Sequence, residues 1–121
     1  MIPYGKQSIN QQDIDAVVDV LKSDFLTQGP MVPAFEESII NYTGANYALV
    51  VNSATSGLHI ACLALEVGVG DIVWTSPVTF VASANCARYC GAEIDFVDID
   101  PATFNICPKL LEAKLQKTIS E

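Results

Sequence analysis

Four apolar side chains recur at helical spacing near the start of the chain. They are Ile14, Val17, Val18 and Leu21. The i, i+3, i+4, i+7 pattern predicts a helix with one apolar face. Asn10 precedes the pattern, and Asp13 lies three residues after Asn10. This spacing is typical of a helix start, so we expect Asn10 to cap the helix. We expect the helix to end near Ser23.

A second helix is predicted over residues 32–42. Val32, Phe35 and Ile39 repeat on one face, and Gly44 is placed to terminate the helix. The connection between the two helices reads DFLTQGP, and Gly29 and Pro30 in it disfavour regular structure. The pattern therefore predicts two helices joined by a loop at residues 24–30.

From residue 47 onward, short apolar runs alternate with helical patterns. Strands are predicted at 47–51, 72–75 and 93–99. Helices are predicted at 56–67, at 81–90 and from Pro108 onward, with Gly91 ending the second of these. This alternation is typical of βαβ units, so the fold class is α/β with a mainly parallel sheet and flanking helices.

The composition is unusually apolar for a domain of this size. Hydrophobic residues make up 50% of the 121 positions and charged residues 17%. A small domain has a high surface-to-volume ratio and needs much polar surface. We therefore expect some apolar surface to be covered by other polypeptide.

The charge balance excludes several partners. The chain has fourteen acidic and six basic residues, which gives a net charge of −8. Such a chain is a poor ligand for nucleic acid or an anionic membrane surface. No apolar run approaches the about 18 residues of a membrane span, and the first residues lack the pattern of a secretory signal. We expect a cytoplasmic location, with the four cysteines reduced.

The segment NSATSG, residues 52–57, lies between a predicted strand and a predicted helix. A helix N-terminus has unpaired N–H groups and a positive dipole end. Small residues let an anion approach that backbone, and the hydroxyls of Ser53, Thr55 and Ser56 would add donors. An ordinary helix cap is the alternative interpretation. The segment is not a P-loop, and no glycine fingerprint of a Rossmann-type nucleotide binder is present.

Other residue types with metal or nucleophile chemistry have simpler interpretations. Cys86 and Cys90 lie one helical turn apart, and His59 is the only histidine. Their helices are mostly apolar, so we interpret them as packed side chains and not as zinc ligands. Asp98 and Asp100 are expected to cap the turn before the following proline.

No lysine lies in a sequence context expected for an amine nucleophile. The five lysines are Lys6, Lys22, Lys109, Lys114 and Lys117. Most of them are expected on exposed helical faces or near a terminus. A lysine nucleophile needs an apolar or cationic setting that lowers its pKa. Phe80, at the end of the SPVTF segment, could stack on a planar ring or could be a core residue.

Four stretches in this order resemble one enzyme family. They are LTQGP (26–30), FEESIINYTGANYALVVNSATSGL (35–58), GDIVWTSPVTFVASAN (70–85) and GAEIDFVDIDPATFNI (91–106). They resemble the DegT/DnrJ/StrS-type sugar aminotransferases, which belong to the fold-type I enzymes that use pyridoxal 5'-phosphate. PYGKQSI together with NSATS is most similar to the subgroup that aminates a UDP-linked 4-keto-6-deoxy sugar in pseudaminic acid biosynthesis, with glutamate as amino donor.

The resemblance assigns expected roles to individual residues. Ala54, Thr55 and Ser56 match the loop that holds the cofactor phosphate, and Phe80 matches the aromatic residue over the pyridine ring. The expected substrate contacts are Tyr4, Asp24, Phe25, Leu26, Thr27 and Ala54. No metal is implied.

The resemblance also implies what this chain does not contain. The family's cofactor-binding lysine, the acid that pairs with the pyridine nitrogen and the small domain match no part of these 121 residues. Residues 1–30 are expected to form the N-terminal helix and substrate loop, and residues 31–121 the first part of the large domain. In the family sheet, the strand at 47–51 does not neighbour the strand at 72–75, so we expect a gap between them.

Three interpretations remain open. In the first, this chain is the N-terminal part of a homodimeric aminotransferase and is inactive by itself. In the second, it belongs to a cofactor-dependent sugar dehydratase of the same family, in which histidine replaces the lysine. In the third, it is a non-catalytic fragment that binds the cofactor or a nucleotide sugar.

Overall fold

The computed structural model describes residues 5–120 and contains five helices and two strands in that range. The helices are α1 (Gln11–Lys22), α2 (Met31–Thr43), α3 (Ala54–Ala64), α4 (Ala82–Tyr89) and α5 (Pro108–Ser120). The strands are β1 (Ile72–Thr75) and β2 (Glu93–Phe96). The chain divides into two compact units, one ending at Val50 and the other beginning at Val51.

The first unit contains α1 and α2, and both helices end where the sequence predicts. Asn10 Oδ1 accepts hydrogen bonds from the backbone N–H groups of Gln12 and Asp13, at 2.8 and 3.2 Å. The Asp13 carboxylate in return accepts from the Asn10 N–H at 2.9 Å, which completes a capping box. Gly44 ends α2 in the left-handed conformation, with φ +73°. Local signals therefore account for these helix ends.

The predicted strand at 47–51 is wrong for this structure. Residues 47–51 have no strand assignment, and the sheet of the described residues contains only β1 and β2. The backbone N–H of Val50 donates to the Glu36 carboxylate at 2.9 Å, not to a neighbouring strand. An extended segment becomes a strand only when a second strand pairs with it, and residues 5–120 supply none.

The second unit contains the sheet, and the sheet is parallel as predicted. Ile72 pairs with Glu93 and Thr75 with Phe96. β2 is shorter than the predicted 93–99 because β1 offers only four residues; the Val97 N–H makes the last bond, to the Thr75 carbonyl at 3.0 Å. Beyond it, Ile99 turns away and forms an isolated antiparallel bridge with Ile106.

A small core forms where α4 packs on both strands and on α3. The buried residues are Ala82, Cys86, Ala87, Ala92 and Val97, all in the second unit. Gly91 follows the end of α4 and has φ +85°. Glycine adopts this conformation readily, in agreement with the prediction that Gly91 ends the helix. The fold class expected from the sequence is confirmed: helices flank a parallel sheet.

Candidate functional site

The start of α3 is the candidate anion site, and Ser53 shapes it. Ser53 Oγ accepts a hydrogen bond from the Ser56 N–H at 3.2 Å, so Ser53 is the N-cap. The helix consequently begins at Ala54, two residues earlier than the predicted position 56. The Ser53 side chain therefore acts as an ordinary helix N-cap, which was the alternative interpretation of this segment.

The two other hydroxyls of this segment differ in their partners. Ser56 Oγ donates to Asn52 Oδ1 at 2.7 Å and also lies 3.0 Å from Ser53 Oγ. Thr55 Oγ1 makes no hydrogen bond to any residue in the range 5–120. The N–H groups of Ala54 and Thr55 belong to the first helical turn, where no preceding carbonyl can accept from them. Two backbone donors and one hydroxyl therefore remain available to an anion.

Phe80 lies in the connection between β1 and α4, and the residue is 73% exposed. Its carbonyl accepts from the Ser83 N–H at 3.0 Å, which fixes the backbone where α4 begins. Within residues 5–120, Phe80 is therefore not part of the core. Phe80 and α3 belong to the same unit, but no hydrogen bond within the described residues links Phe80 to residues 52–56.

The predicted substrate residues fall in three places. Tyr4 lies outside the described residues. Asp24, Phe25, Leu26 and Thr27 form an exposed loop in the first unit. Ser23 orders that loop, because Ser23 Oγ donates to the Val20 carbonyl at 2.7 Å and to the Phe25 carbonyl at 3.2 Å. Ala54, the last predicted contact, is exposed at the first position of α3.

Of the two cysteines that the sequence analysis interpreted as packed side chains, Cys86 is buried and Cys90 is half-buried. All four cysteines are free, Cys86 is buried, and the ring of His59 meets Tyr89 edge-on at 5.3 Å. Burial raises the pKa of the Cys62 thiol, and the neighbouring thiols of Cys86 and Cys90 raise it further. The described part of the chain holds no cluster of three or more potential metal ligands.

Asp100 caps a turn that begins at Pro101, whereas the sequence analysis expected both aspartates to cap a turn before that proline. The Asp100 carboxylate accepts from the N–H groups of Ala102 and Thr103 at 2.8 and 3.4 Å. Asp98 Oδ1 accepts from the Ile99 N–H at 2.8 Å. The Asp100 carboxylate therefore stabilises an Asx-type turn, whereas the Asp98 carboxylate accepts from the N–H of the next residue.

Lys114 has a setting that the sequence analysis did not identify. Its ammonium group donates to the Phe96 carbonyl at 2.7 Å, forms an ion pair with Asp95 and lies 5.1 Å from the centre of the Trp74 ring. The Lys114 hydrogen bond holds the pKa of the Asp95 carboxyl below its usual range. Asp95 and Lys114 are 19 positions apart, so no local pattern could have indicated this cluster.

One protein family matches nearly the whole chain. The family model described as the DegT/DnrJ/EryC1/StrS aminotransferase family matches residues 7–120. Over 121 residues, the chain is 47% identical to the UDP-4-amino-4,6-dideoxy-N-acetyl-beta-L-altrosamine transaminase of Campylobacter jejuni, covering all of this chain and 32% of that protein. The chain thus spans about a third of the length of this curated relative.

Two solved structures show the same fold. Spr1654 from Streptococcus pneumoniae, assigned as a sugar aminotransferase and solved in its PLP form, matches with a TM-score of 0.85 and 36% identity over 93% of this chain and 29% of that chain. GDP-4-keto-6-deoxy-D-mannose-3-dehydratase of E. coli, with bound hydrated PLP, matches with a TM-score of 0.84 and 25% identity over 92% of this chain and 30% of that chain.

Proposed function

The chain belongs to the DegT/DnrJ/EryC1/StrS aminotransferase family, and from that premise we propose that it contributes the cofactor-phosphate site of a nucleotide-sugar aminotransferase. The full activity is proposed for a protein of its relatives' length, since this chain spans about a third of one. The proposed reaction moves the amino group of glutamate to the 4-keto carbon of a UDP-linked 6-deoxy sugar. The C. jejuni relative supports an altrosamine-type product, of the kind used for pseudaminic acid.

One observation carries the proposal: the start of α3 presents donors that nothing in residues 5–120 uses. The N–H groups of Ala54 and Thr55 lie at the positive end of the helix, and Thr55 Oγ1 lies beside them. A phosphate is the ligand that this arrangement suits best. The PLP and PMP forms of Spr1654 support pyridoxal 5'-phosphate as the cofactor that brings it.

The residues present fit that cofactor. Small side chains at Ala54 and Gly57 leave the helix start open, and the exposed Phe80 ring offers an apolar face to a pyridine ring. When bound, the cofactor supplies the electron sink for the amino-group exchange. In this proposal the residues of the second unit would bind its phosphate and cover one face of its ring. Residues 24–27 of the first unit and Ala54 of the second are each proposed as nucleotide-sugar contacts. The homodimeric assembly and the cytoplasmic location expected from the sequence are part of the same proposal.

The hydroxyl test separates Thr55 from Ser56. Thr55→Val keeps the side-chain shape and removes the free donor, whereas Ser56→Ala removes a hydroxyl already bonded to Asn52. A hydrogen bond to a charged group contributes about 1.5–3 kcal/mol, so Thr55→Val should weaken pyridoxal phosphate binding by about 10- to 150-fold. Ser56→Ala should weaken it less. Cofactor absorbance during titration measures both, and unchanged binding in both variants would leave only backbone contacts.

The reaction itself is tested on the longer protein with pyridoxal phosphate, glutamate and a UDP-4-keto-6-deoxy sugar. The expected product is the 4-amino sugar, together with 2-oxoglutarate. The structural match to the E. coli dehydratase favours one alternative. In that case the sugar would lose its 3-hydroxyl group and keep its 4-keto group. Glutamate would supply the two electrons through the cofactor, so 2-oxoglutarate would again be released once per sugar, but the nitrogen would appear as ammonium and not in the sugar. The 121-residue chain by itself is expected to show no turnover, and cofactor-dependent turnover would contradict this expectation.

A further inference from the structure

The loop between α1 and α2 fixes one of its exposed residues through the backbone. Among residues 24–27, Phe25 alone has hydrogen bonds to other described residues, and it is 61% exposed. The Ser23 hydroxyl donates to the Phe25 carbonyl at 3.2 Å, and its oxygen accepts from the Phe25 N–H at 3.4 Å. Ser23 is itself the C-cap of α1, where its own N–H donates to the Val20 carbonyl at 3.0 Å. The backbone of Phe25 is thus bonded to the end of α1.

Gly29 lies against the same residue from the other end of the loop. A Cβ at Gly29 would lie 2.8 Å from Phe25 Cβ and 3.1 Å from the Phe25 carbonyl oxygen. The first distance is shorter than carbon atoms pack, so only glycine allows this approach. The Gly29 carbonyl accepts from the Val32 N–H at 3.4 Å, which connects it to the first turn of α2. The position of Phe25 is therefore determined from the adjoining ends of both helices.

The backbone beside Gly29 is strained. Gln28 has φ +50°, in the left-handed region that residues with a Cβ rarely adopt. Such a conformation persists only where the surrounding structure determines the backbone, and it is commonest where a protein contacts a ligand. The strain at Gln28 agrees with a loop that is held in one conformation.

An exposed aromatic ring in a fixed position suits the flat apolar face of a ring in a ligand. Ordering a mobile side chain during binding lowers the affinity, and a side chain that is already ordered avoids this loss. The nucleotide sugar proposed above contains two rings, the pyrimidine base and the sugar. Either ring would offer Phe25 an apolar face.

We propose that Ser23 and Gly29 are positioning residues, which hold Phe25 in place to receive one of these two rings. Ser23 acts through the hydrogen bonds to the Phe25 backbone, and Gly29 acts through the absence of a side chain. Neither residue needs to contact the ligand. This role rests on the proposed function, since its ligand is the UDP-linked sugar.

Calorimetric titration of the longer protein with UDP and with UDP-N-acetylglucosamine tests the role of Gly29. Gly29→Ala should weaken binding about ten- to hundredfold, because the new Cβ displaces Phe25. Gly44→Ala is the matched control, since it lies in the same unit and its new Cβ meets nothing within 4 Å. It should leave the affinity unchanged. Thermal unfolding of each variant verifies that the fold persists.

The two ligands identify the ring that Phe25 receives. UDP contains the base without the sugar, whereas UDP-N-acetylglucosamine contains both. Weaker binding of both ligands to the Gly29→Ala variant would assign the base. Weaker binding of UDP-N-acetylglucosamine alone would assign the sugar. Each of these results supports the positioning role.

Substitutions at Ser23 test the hydrogen bonds. Ser23→Ala removes both bonds to Phe25 and should weaken binding about two- to tenfold. Ser23→Thr keeps the hydroxyl and should restore the affinity. When Phe25→Ala is already present, Ser23→Ala should have little further effect, because its influence on binding passes through the ring. A Ser23 that only stabilises the fold would show no such dependence.

The results that contradict this role differ from those that contradict the proposed function. If the unmodified longer protein binds neither ligand, the proposed function is wrong and the positioning role is wrong with it. If the unmodified protein binds but Gly29→Ala binds as tightly as Gly44→Ala, only the positioning role is overturned. An undiminished effect of Ser23→Ala in the absence of the Phe25 ring would likewise overturn only that role.

Discussion

The two units of the chain achieve order in different ways. In the first unit, α1 and α2 are capped and end at the expected residues, yet neither contains a fully buried side chain. In the second, α4 is only eight residues long but buries Ala82, Cys86 and Ala87 against the sheet and α3. Caps and periodicity define a helix locally, whereas a core needs a second layer on which the helix can pack.

The comparison predicts where a buried charge does most harm. Ala87 is completely buried, so Ala87→Asp places a carboxylate in an apolar core and should cost about 3 kcal/mol or more. Ala34→Asp on α2 is the control, because Ala34 is exposed near the start of its helix. Amide hydrogen exchange should show lost protection in β1 and β2 for the first variant only. Equal protection in both variants would contradict the placement of the core.

Glycine substitutions separate backbone conformation from packing. Gly44 and Gly91 both have positive φ, at +73° and +85°. A Cβ at Gly44 meets nothing within 4 Å, whereas one at Gly91 would lie 3.0 Å from Val69 Cγ2. Gly44→Ala should cost about 1 kcal/mol, and Gly91→Ala about 2 kcal/mol. Local hydrogen-exchange free energies would measure the two costs, and equal values would show that Val69 moves freely aside.

Cap removal should reveal how much each helix depends on local bonds. Asn10→Ala and Ser53→Ala each remove a side-chain cap, at a cost of about 1 kcal/mol. We expect α1 to lose more helical population, because α3 also packs on α4. Residue-specific NMR chemical shifts report that population. A larger loss in α3 would mean that α1 has support absent from residues 5–120.

The smallest expected effect is a pH dependence in the second unit. Lys114 lowers the folded pKa of Asp95, so the folded state binds a proton less readily than the unfolded state. The stability from this pair is complete above the ordinary carboxyl pKa of about 4 and is lost as the pH falls through the lowered folded value. Asp95→Asn and Lys114→Met should each reduce the loss of unfolding free energy between about pH 4 and lower pH. Denaturant unfolding at a series of pH values measures this acid limb of the stability curve. An unchanged limb in both variants would show that the ion pair does not form in solution.

The position of the candidate site was predictable from the residues next to it in the sequence. The small and hydroxyl residues at 53–56 indicated a helix start with free donors, and the structure places α3 there. The difference between Ser56, bonded to Asn52, and Thr55, without a bond, was not predictable. It depends on which rotamers the folded segment adopts, and no spacing rule encodes that. The roles of these residues towards cofactor and substrate stay predictions.

The sequence by itself determined the helices and the positions where β1 and β2 begin. The capping box at Asn10, the left-handed Gly44 and Gly91, and the three apolar residues of β1 lie within a few positions of the structure they specify. Only the tertiary structure decided that residues 47–51 form no strand and that Lys114 joins Asp95 to Trp74. Strand formation and ion pairing both require a partner from elsewhere in the chain. Local patterns carry no information on which distant segment supplies that partner, or on whether any does.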